Sequence, residues 1–231
     1  MRIATWNVNS LRSRIDRVEA FLQRHEVDVL ALQEVKARED QLPLLGLQAL
    51  GYDVATVGYN QWNGVALVSR VGLDEVSVGF PQMPGWGEPV APEARAIGAR
   101  CGGVSVWSLY VPNGRKIDDA HYHYKLEWLA RLRTCATEWL DTPTALMGDW
   151  NIAPTDEDVF DPAAYEGSTH VTPREREAFR GFLEAGWADV TRPFTPAPGH
   201  SPTGTITGNA SSATGACGST SCSARRPWPS G

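Results

Sequence analysis

The chain has 231 residues, 42% of them hydrophobic and 21% charged, with a formal net charge of -6. That is apolar material for one sizeable core with no second domain required, and the acidic balance excludes a global basic field, so any nucleic-acid contact must be a local patch. No apolar run is long enough to span a bilayer, and Met1 to Trp6 starts directly with strand-like residues rather than a charged-then-apolar leader, so the expectation is a cytoplasmic protein with no membrane partner.

Arg2 to Val8 carries Ile3, Thr5, Trp6 and Val8 and reads as a strand. Ser10 is positioned to cap a helix running from Leu11 to His25, in which Ile15, Val18, Phe21 and Leu22 recur at helical spacing. Asp28 to Gln33 follows as a nearly all-apolar strand, the kind covered on both faces, and Glu34 stands at its end. If two strands joined by one helix are parallel neighbours, Asn7 and Glu34 leave the sheet at the same edge. Gln41 to Leu50 reads as a short helix, Tyr52 to Val57 and Val65 to Ser69 as strands about an Asn-Gly turn, and the Pro- and Gly-rich segment from Gly79 to Pro92 as a loop. Arg95 to Arg100 and Val104 to Val111 are two more strands. Asp118 to Trp139 contains a long helix whose apolar stripe includes Tyr124, Trp128, Leu129 and Leu132, with Lys125 assigned to its solvated face and His121 and His123 to solvent. Trp62, Trp86 and Trp107 read as core or loop packing. Thr172 and Pro173 open a helix that runs to Ala185.

Between the last two helices lies Leu146-Met147-Gly148-Asp149-Trp150-Asn151. A buried strand from Thr144 to Met147 stops at a glycine, and Asp149 and Asn151, spaced by two, share one side of an extended segment. A carboxylate and a carboxamide facing one small site suit phosphate chemistry with a hard divalent cation; taken alone, the same residues also make an ordinary turn. Strands interleaved with single helices and hairpin-like pairs describe an α/β protein with mixed sheets in layers, with oxygen-bearing residues at strand ends, where such folds bind ligands. Cys101 and Cys135 read as small buried hydrophobes, and no cysteine or histidine spacing suggests a zinc site or a disulfide framework.

Thr5-Trp6-Asn7-Val8-Asn9, Leu32-Gln33-Glu34, Asn63-Gly64-Val65-Ala66, Tyr110-Val111-Pro112-Asn113-Gly114 and Gly148-Asp149-Trp150-Asn151-Ile152-Ala153-Pro154 resemble, in this order, the motifs of the exonuclease III and apurinic/apyrimidinic (AP) endonuclease branch of the endonuclease/exonuclease/phosphatase superfamily. The resemblance runs from Met1 to about His200. It implies a layered sandwich of two mixed β-sheets flanked by helices and a magnesium-dependent DNA repair nuclease, manganese being the alternative ion. It implies 3′-to-5′ exonuclease and AP-site incision on double-stranded DNA, above all at abasic or 3′-blocked ends, by a monomer. Glu34 is then a metal ligand and Asn7 supports the metal or its waters, while Asp149 and Asn151 stand in the metal set as well. Asp149 orients or deprotonates the attacking water, Asn151 holds the scissile phosphate and Tyr110 hydrogen-bonds a phosphate oxygen. Arg95, Arg115 and Lys116 are the candidate DNA contacts. Two other readings fit the same residues: a phosphodiesterase or phosphatase on a non-DNA phosphate, and a non-catalytic remnant that binds metal or DNA.

The resemblance ends near His200. Residues 1–198 form the expected domain, incomplete at its C-terminal end, and 199–231 are rich in Ser, Thr, Gly, Ala and Pro, a composition expected to be disordered. The family's Arg-x-Asp strand and its Ser-Asp-His motif are absent there, and His170 and His200 stand in other contexts. Read with TCN serine codons and shifted to each third codon base, Gly215 to Ser223 permits Gly-Met-Arg-Val-Asp-Leu-Val-Leu, so a frameshift near His200 is the expected cause. Impaired catalysis and poor solubility are the expected consequences.

Overall fold

The computed structural model describes residues 1–194 together with 223–224. Ile3–Asn7 (β1) runs parallel to Val29–Gln33 (β2), connected by the helix Ile15–His25 (α1). Every side chain of β2 is buried, because the strand alternates between two cores. Val29 and Ala31 face the second sheet, whereas Leu30 and Leu32 pack with Val18 and Leu22 of α1. The helix starts at Ile15 rather than Leu11, and Ser10 does not cap it. The cause lies in the preceding backbone: Ser10 N–H donates to Glu34 O (2.7 Å) and Leu11 N–H to Val35 O (3.1 Å), so the chain keeps pairing past the strand before it can coil. Similarly the helix expected over 41–50 is confined to Leu45–Ala49 (α2), beyond Pro43, which lacks the N–H a helix interior needs.

Asp53–Val57 (β3) and Val65–Ser69 (β4) complete the first sheet among the described residues, in the order β1-β2-β4-β3. The second sheet has the order β5-β6-β7-β8-β10-β9, built from Asp74–Val78 (β5), Ala96–Cys101 (β6), Val104–Tyr110 (β7), Thr144–Asp149 (β8), Ala188–Asp189 (β9) and Ser223–Ala224 (β10). Each sheet mixes parallel and antiparallel pairs: β1 with β2 and β7 with β8 are parallel, the rest antiparallel. Sequence reading passes over β5, all of whose residues are exposed, so no apolar alternation marks it. Between the sheets lie Val29, Leu67, Ile97, Val106 and Met147. On the outer face of the second sheet pack Ala120–Glu138 (α3) and Pro173–Glu184 (α4), through Trp128, Leu132, Trp150, Phe179 and Phe182. The result is two sheets face to face with helices outside both, as expected. No helix among the described residues is long and apolar enough to cross a membrane.

The domain boundary, disorder and frameshift expected of the tail fall outside the described residues, Ser223 and Ala224 aside. These two pair with Leu146 and Ala145 of β8. Backbone groups along a strand edge accept an extended neighbour whatever its side chains.

Gly148 is part of β8 rather than its stop. Its φ is +147°, and a Cβ built there would lie 1.9 Å from the carbonyl oxygen of Leu109 on β7. Only a residue without a Cβ lets the two strands approach so closely beside Asp149.

Lys125 is wholly buried, contrary to its assignment to a solvated face. Its ammonium pairs with Glu175, also wholly buried, and donates to Asn151 O (2.6 Å) and Asn113 O (3.3 Å). The other oxygen of Glu175 accepts from Thr172 N–H (3.1 Å) and Thr172 Oγ1 (2.8 Å), closing the capping box that starts α4. One ion pair therefore joins two helices to two loops. Lys125→Met should lower the unfolding free energy by about 3–5 kcal/mol, because it leaves a carboxylate buried without its partner, and Lys125→Met with Glu175→Gln should recover part of the loss; urea denaturation of the three chains measures both. Gly148→Ala should cost at least about 1–3 kcal/mol through backbone strain, read in the same denaturation experiment.

Candidate active site

The ends of β1, β2, β7 and β8 bring together side chains from distant parts of the sequence. Asn7, last residue of β1, donates from its amide nitrogen to Glu34 Oε1 (2.7 Å) and to Asp149 Oδ2 (2.8 Å). Its amide oxygen accepts from the Asn9 N–H (3.1 Å). Asn7 thus turns a nitrogen toward the carboxylates. Asn7 was expected in the metal set; in this structure its nitrogen lies between the two acids.

Glu34 follows β2, and its second oxygen pairs with Lys36 Nζ (2.6 Å), which also donates to Asn9 Oδ1 (2.6 Å). Sequence reasoning passed over Lys36; the available signal was a lysine two residues beyond a strand-end glutamate. The backbone turns sharply at this edge: Asn9, Ser10, Glu34, Lys36 and Asn151 all have φ between +43° and +85°. Side chains other than glycine adopt that region at a cost, and such residues gather at functional sites.

Asp149 ends β8 in register with Tyr110 of β7. Its carboxyl group is half-buried, and this burial pushes its pKa above the ordinary carboxylate value; the negative charge of Glu34 adds to the rise, while bonds from Asn7 and from the Asn151 N–H (3.0 Å) oppose it. Tyr110 is raised too, by burial first and then by the charges of Glu34 and Asp149, so its phenol keeps the proton and is a donor.

Behind Tyr110 stands Arg95, expected to contact DNA. It is 7% exposed, its guanidinium is bonded to Glu93 at 2.6 and 3.1 Å and to Tyr110 O at 3.3 Å, and it lies 5.0 Å from the centroid of the Tyr110 ring. Burial works against the Glu93 carboxylate, but the bonded Arg95 more than offsets it and holds the pKa below the ordinary value. The Arg95 charge is neutralised inside the protein, and the residue braces Tyr110 instead of meeting a phosphate. Arg115 and Lys116, by contrast, are exposed after β7, with the Arg115 guanidinium 5.8 Å from the centroid of the Trp86 ring. Trp62 is 70% exposed and not packed as expected. His121, expected in solvent, is buried against Trp86, accepts from the Gly114 N–H (3.1 Å) and has its pKa lowered to about 4, by burial and then by Arg95.

Asn151 lies beside Asp149 but faces elsewhere. Its nitrogen donates to Val111 O (2.8 Å), and its oxygen meets Asn113 Nδ2 (3.4 Å) and His170 Nε2 (3.1 Å). The oxygen that was expected to join the metal set thus faces Asn113 and His170, and Asn151 stands as an amide at the margin of the carboxylate pair. His170, set aside in the sequence, comes into this margin. Burial, followed by the Lys125 charge, lowers its pKa to about 4, so the ring is neutral near pH 7.

Glu34 and Asp149, two carboxylates drawn to one nitrogen, are the pair that could hold a cation. Among the described residues no group of three or more His, Cys, Asp or Glu side chains is placed to hold a metal. An all-oxygen set with few protein ligands fits a hard divalent ion that retains waters and takes substrate phosphate oxygens, as magnesium does.

A sequence model of the endonuclease/exonuclease/phosphatase family matches residues 4–215. An exodeoxyribonuclease of Bacillus subtilis is 30% identical over 203 residues, covering 85% of this chain and 76% of that protein. A 3′ phosphatase from Neisseria, solved bound to a product DNA hairpin, is 35% identical with a TM-score of 0.78, covering 84% of this chain and 74% of its own. An AP endonuclease from Archaeoglobus fulgidus is 32% identical with a TM-score of 0.82, covering 97% of this chain and 86% of its own. The matched span and these likenesses show that the chain belongs to the endonuclease/exonuclease/phosphatase family.

Proposed function

We propose that the chain is a DNA repair nuclease that hydrolyses phosphodiesters of double-stranded DNA with a divalent ion, magnesium or alternatively manganese. It acts as a monomer, incising at abasic sites and removing nucleotides or blocking groups from 3′ ends. The observation that carries this reading is the Asn7 nitrogen holding Glu34 and Asp149 at 2.7 and 2.8 Å. The names of the relatives, an exodeoxyribonuclease, a 3′ phosphatase and an AP endonuclease, supply the substrate class.

Glu34 and Asp149 would hold the ion. When bound, such an ion neutralises charge building on the phosphoryl and leaving oxygens. The Asp149 carboxylate, made more basic by burial, accepts the proton of the attacking water. The protonated Tyr110 donates to a phosphate oxygen, where a fixed donor is worth most as negative charge develops. Asn151 orients the scissile phosphate through the N–H that Val111 O leaves free. Arg115 and Lys116 meet the DNA backbone as the local basic patch that an acidic chain requires. Residues 199–231 supply no Ser-Asp-His motif, so in this polypeptide the reaction runs slowly on the groups just named.

A duplex with one abasic site, incubated with the protein and magnesium chloride, should be incised; EDTA should stop the reaction, and Glu34→Gln should slow it by about 10²–10³-fold or more. Incision that persists undiminished in EDTA or in Glu34→Gln overturns the reading. Assayed side by side, the chain should be at least about 100-fold slower than the Bacillus subtilis exodeoxyribonuclease in kcat.

A further inference from the structure

His170 is 19 residues from Asn151 in sequence and carries an unusual backbone, with φ +82°. Its carbonyl accepts from the Ala153 N–H (2.8 Å), which ties its loop to the one that follows Asp149. The ring nitrogens have three side-chain partners. Nδ1 lies 3.0 Å from Thr169 Oγ1, and Nε2 lies 3.1 Å from both Asn151 Oδ1 and Asn113 Nδ2.

Each neutral tautomer makes two of these three ring contacts: a proton on Nδ1 leaves Nε2 and the Asn151 oxygen as two acceptors 3.1 Å apart, whereas a proton on Nε2 leaves out only Asn113, an exposed residue with a second acceptor in that same oxygen. The Asn151 nitrogen is fixed by Val111 O at 2.8 Å, because turning the amide over would set two oxygens against each other. Its oxygen must then face His170, and a neutral ring satisfies that oxygen only with the proton on Nε2. Nδ1 is left as the acceptor of the Thr169 hydroxyl, and Asn113 Nδ2, which cannot donate to an N–H, turns to Asn151 Oδ1 at 3.4 Å. Both acceptor positions of the Asn151 oxygen are filled, and one N–H of its nitrogen stays available for a phosphate oxygen.

We propose that His170 is a positioning residue that, as the Nε2–H tautomer, locks the Asn151 amide in the orientation that presents its free N–H to the scissile phosphate. The kinetic part rests on the nuclease reading above; the tautomer does not. Two replacements separate positioning from mere support of the loop. Glutamine can extend an amide N–H about as far as Nε2, whereas asparagine reaches only to about Nδ1. Asparagine, however, is the better residue for a positive φ. Loop support thus ranks His170→Asn above His170→Gln, and positioning ranks them the other way.

For abasic-duplex incision with magnesium, His170→Asn should lower kcat about tenfold or more with KM within about twofold of the unsubstituted chain, while His170→Gln should stay within about threefold in kcat, the size of effect expected for one oriented hydrogen bond. Equal losses in both variants, or kcat values that follow thermal stability, overturn the proposal. Long-range ¹H–¹⁵N spectra of the unsubstituted protein should show His170 protonated at Nε2 alone; protonation at Nδ1 alone overturns the proposal irrespective of activity. If the unsubstituted chain fails to incise, the nuclease reading fails, and the tautomer decides the orientation of Asn151 by itself.

Discussion

Two carboxylates drawn to one point repel each other, and a folded chain keeps them there only if donors are aimed at both. In this protein the donor they share is one amide nitrogen, that of Asn7, bonded to Glu34 and to Asp149. Asn7 ends β1 in one sheet and Asp149 ends β8 in the other. The contact is therefore made across the sandwich, and its geometry is set by how the sheets pack through Val29, Leu67, Ile97 and Met147. Close-packed interiors admit little adjustment, so the core holds the distance between the acids as firmly as it holds the fold.

Around that centre the buried charges are arranged as supports. Arg95 and Glu93 neutralise each other behind Tyr110, and Lys125 and Glu175 do the same beneath the loops that carry Asn113 and Asn151. Neither cation is free to meet a polyanion. Exposure separates Arg115 and Lys116 from these two.

Much of this was legible in the sequence where local pattern and topology agree. The β1-α1-β2 unit and the all-apolar β2 announce themselves through periodicity and through the rule that such units are parallel, and so place Asn7 and Glu34 at neighbouring strand ends; that Asp149, in the other sheet, joins them was implied by the family resemblance alone. What was not legible depends on partners far apart in the chain. Lys125 lies three and four residues before Trp128 and Leu129, squarely on the buried stripe, but a lysine there reads as solvated until Glu175 is known to stand opposite. Arg95 looks like a basic residue near a strand end; the stacking on Tyr110 arises from the pairing of β6 with β7, which no local signal reports. His170 and Asn151 meet through loops, where the chain has no period to read.

The buried ammonium of Lys125 has three N–H bonds, and the structure gives it three acceptors: one carboxylate oxygen and the carbonyls of Asn113 and Asn151. An arginine would bring five donors spread over a rigid plane to the same small space, two of them with nothing to meet. Equal charge is thus no guarantee of equivalence at this position. A relative with arginine here would need a differently shaped junction between its loops and helices.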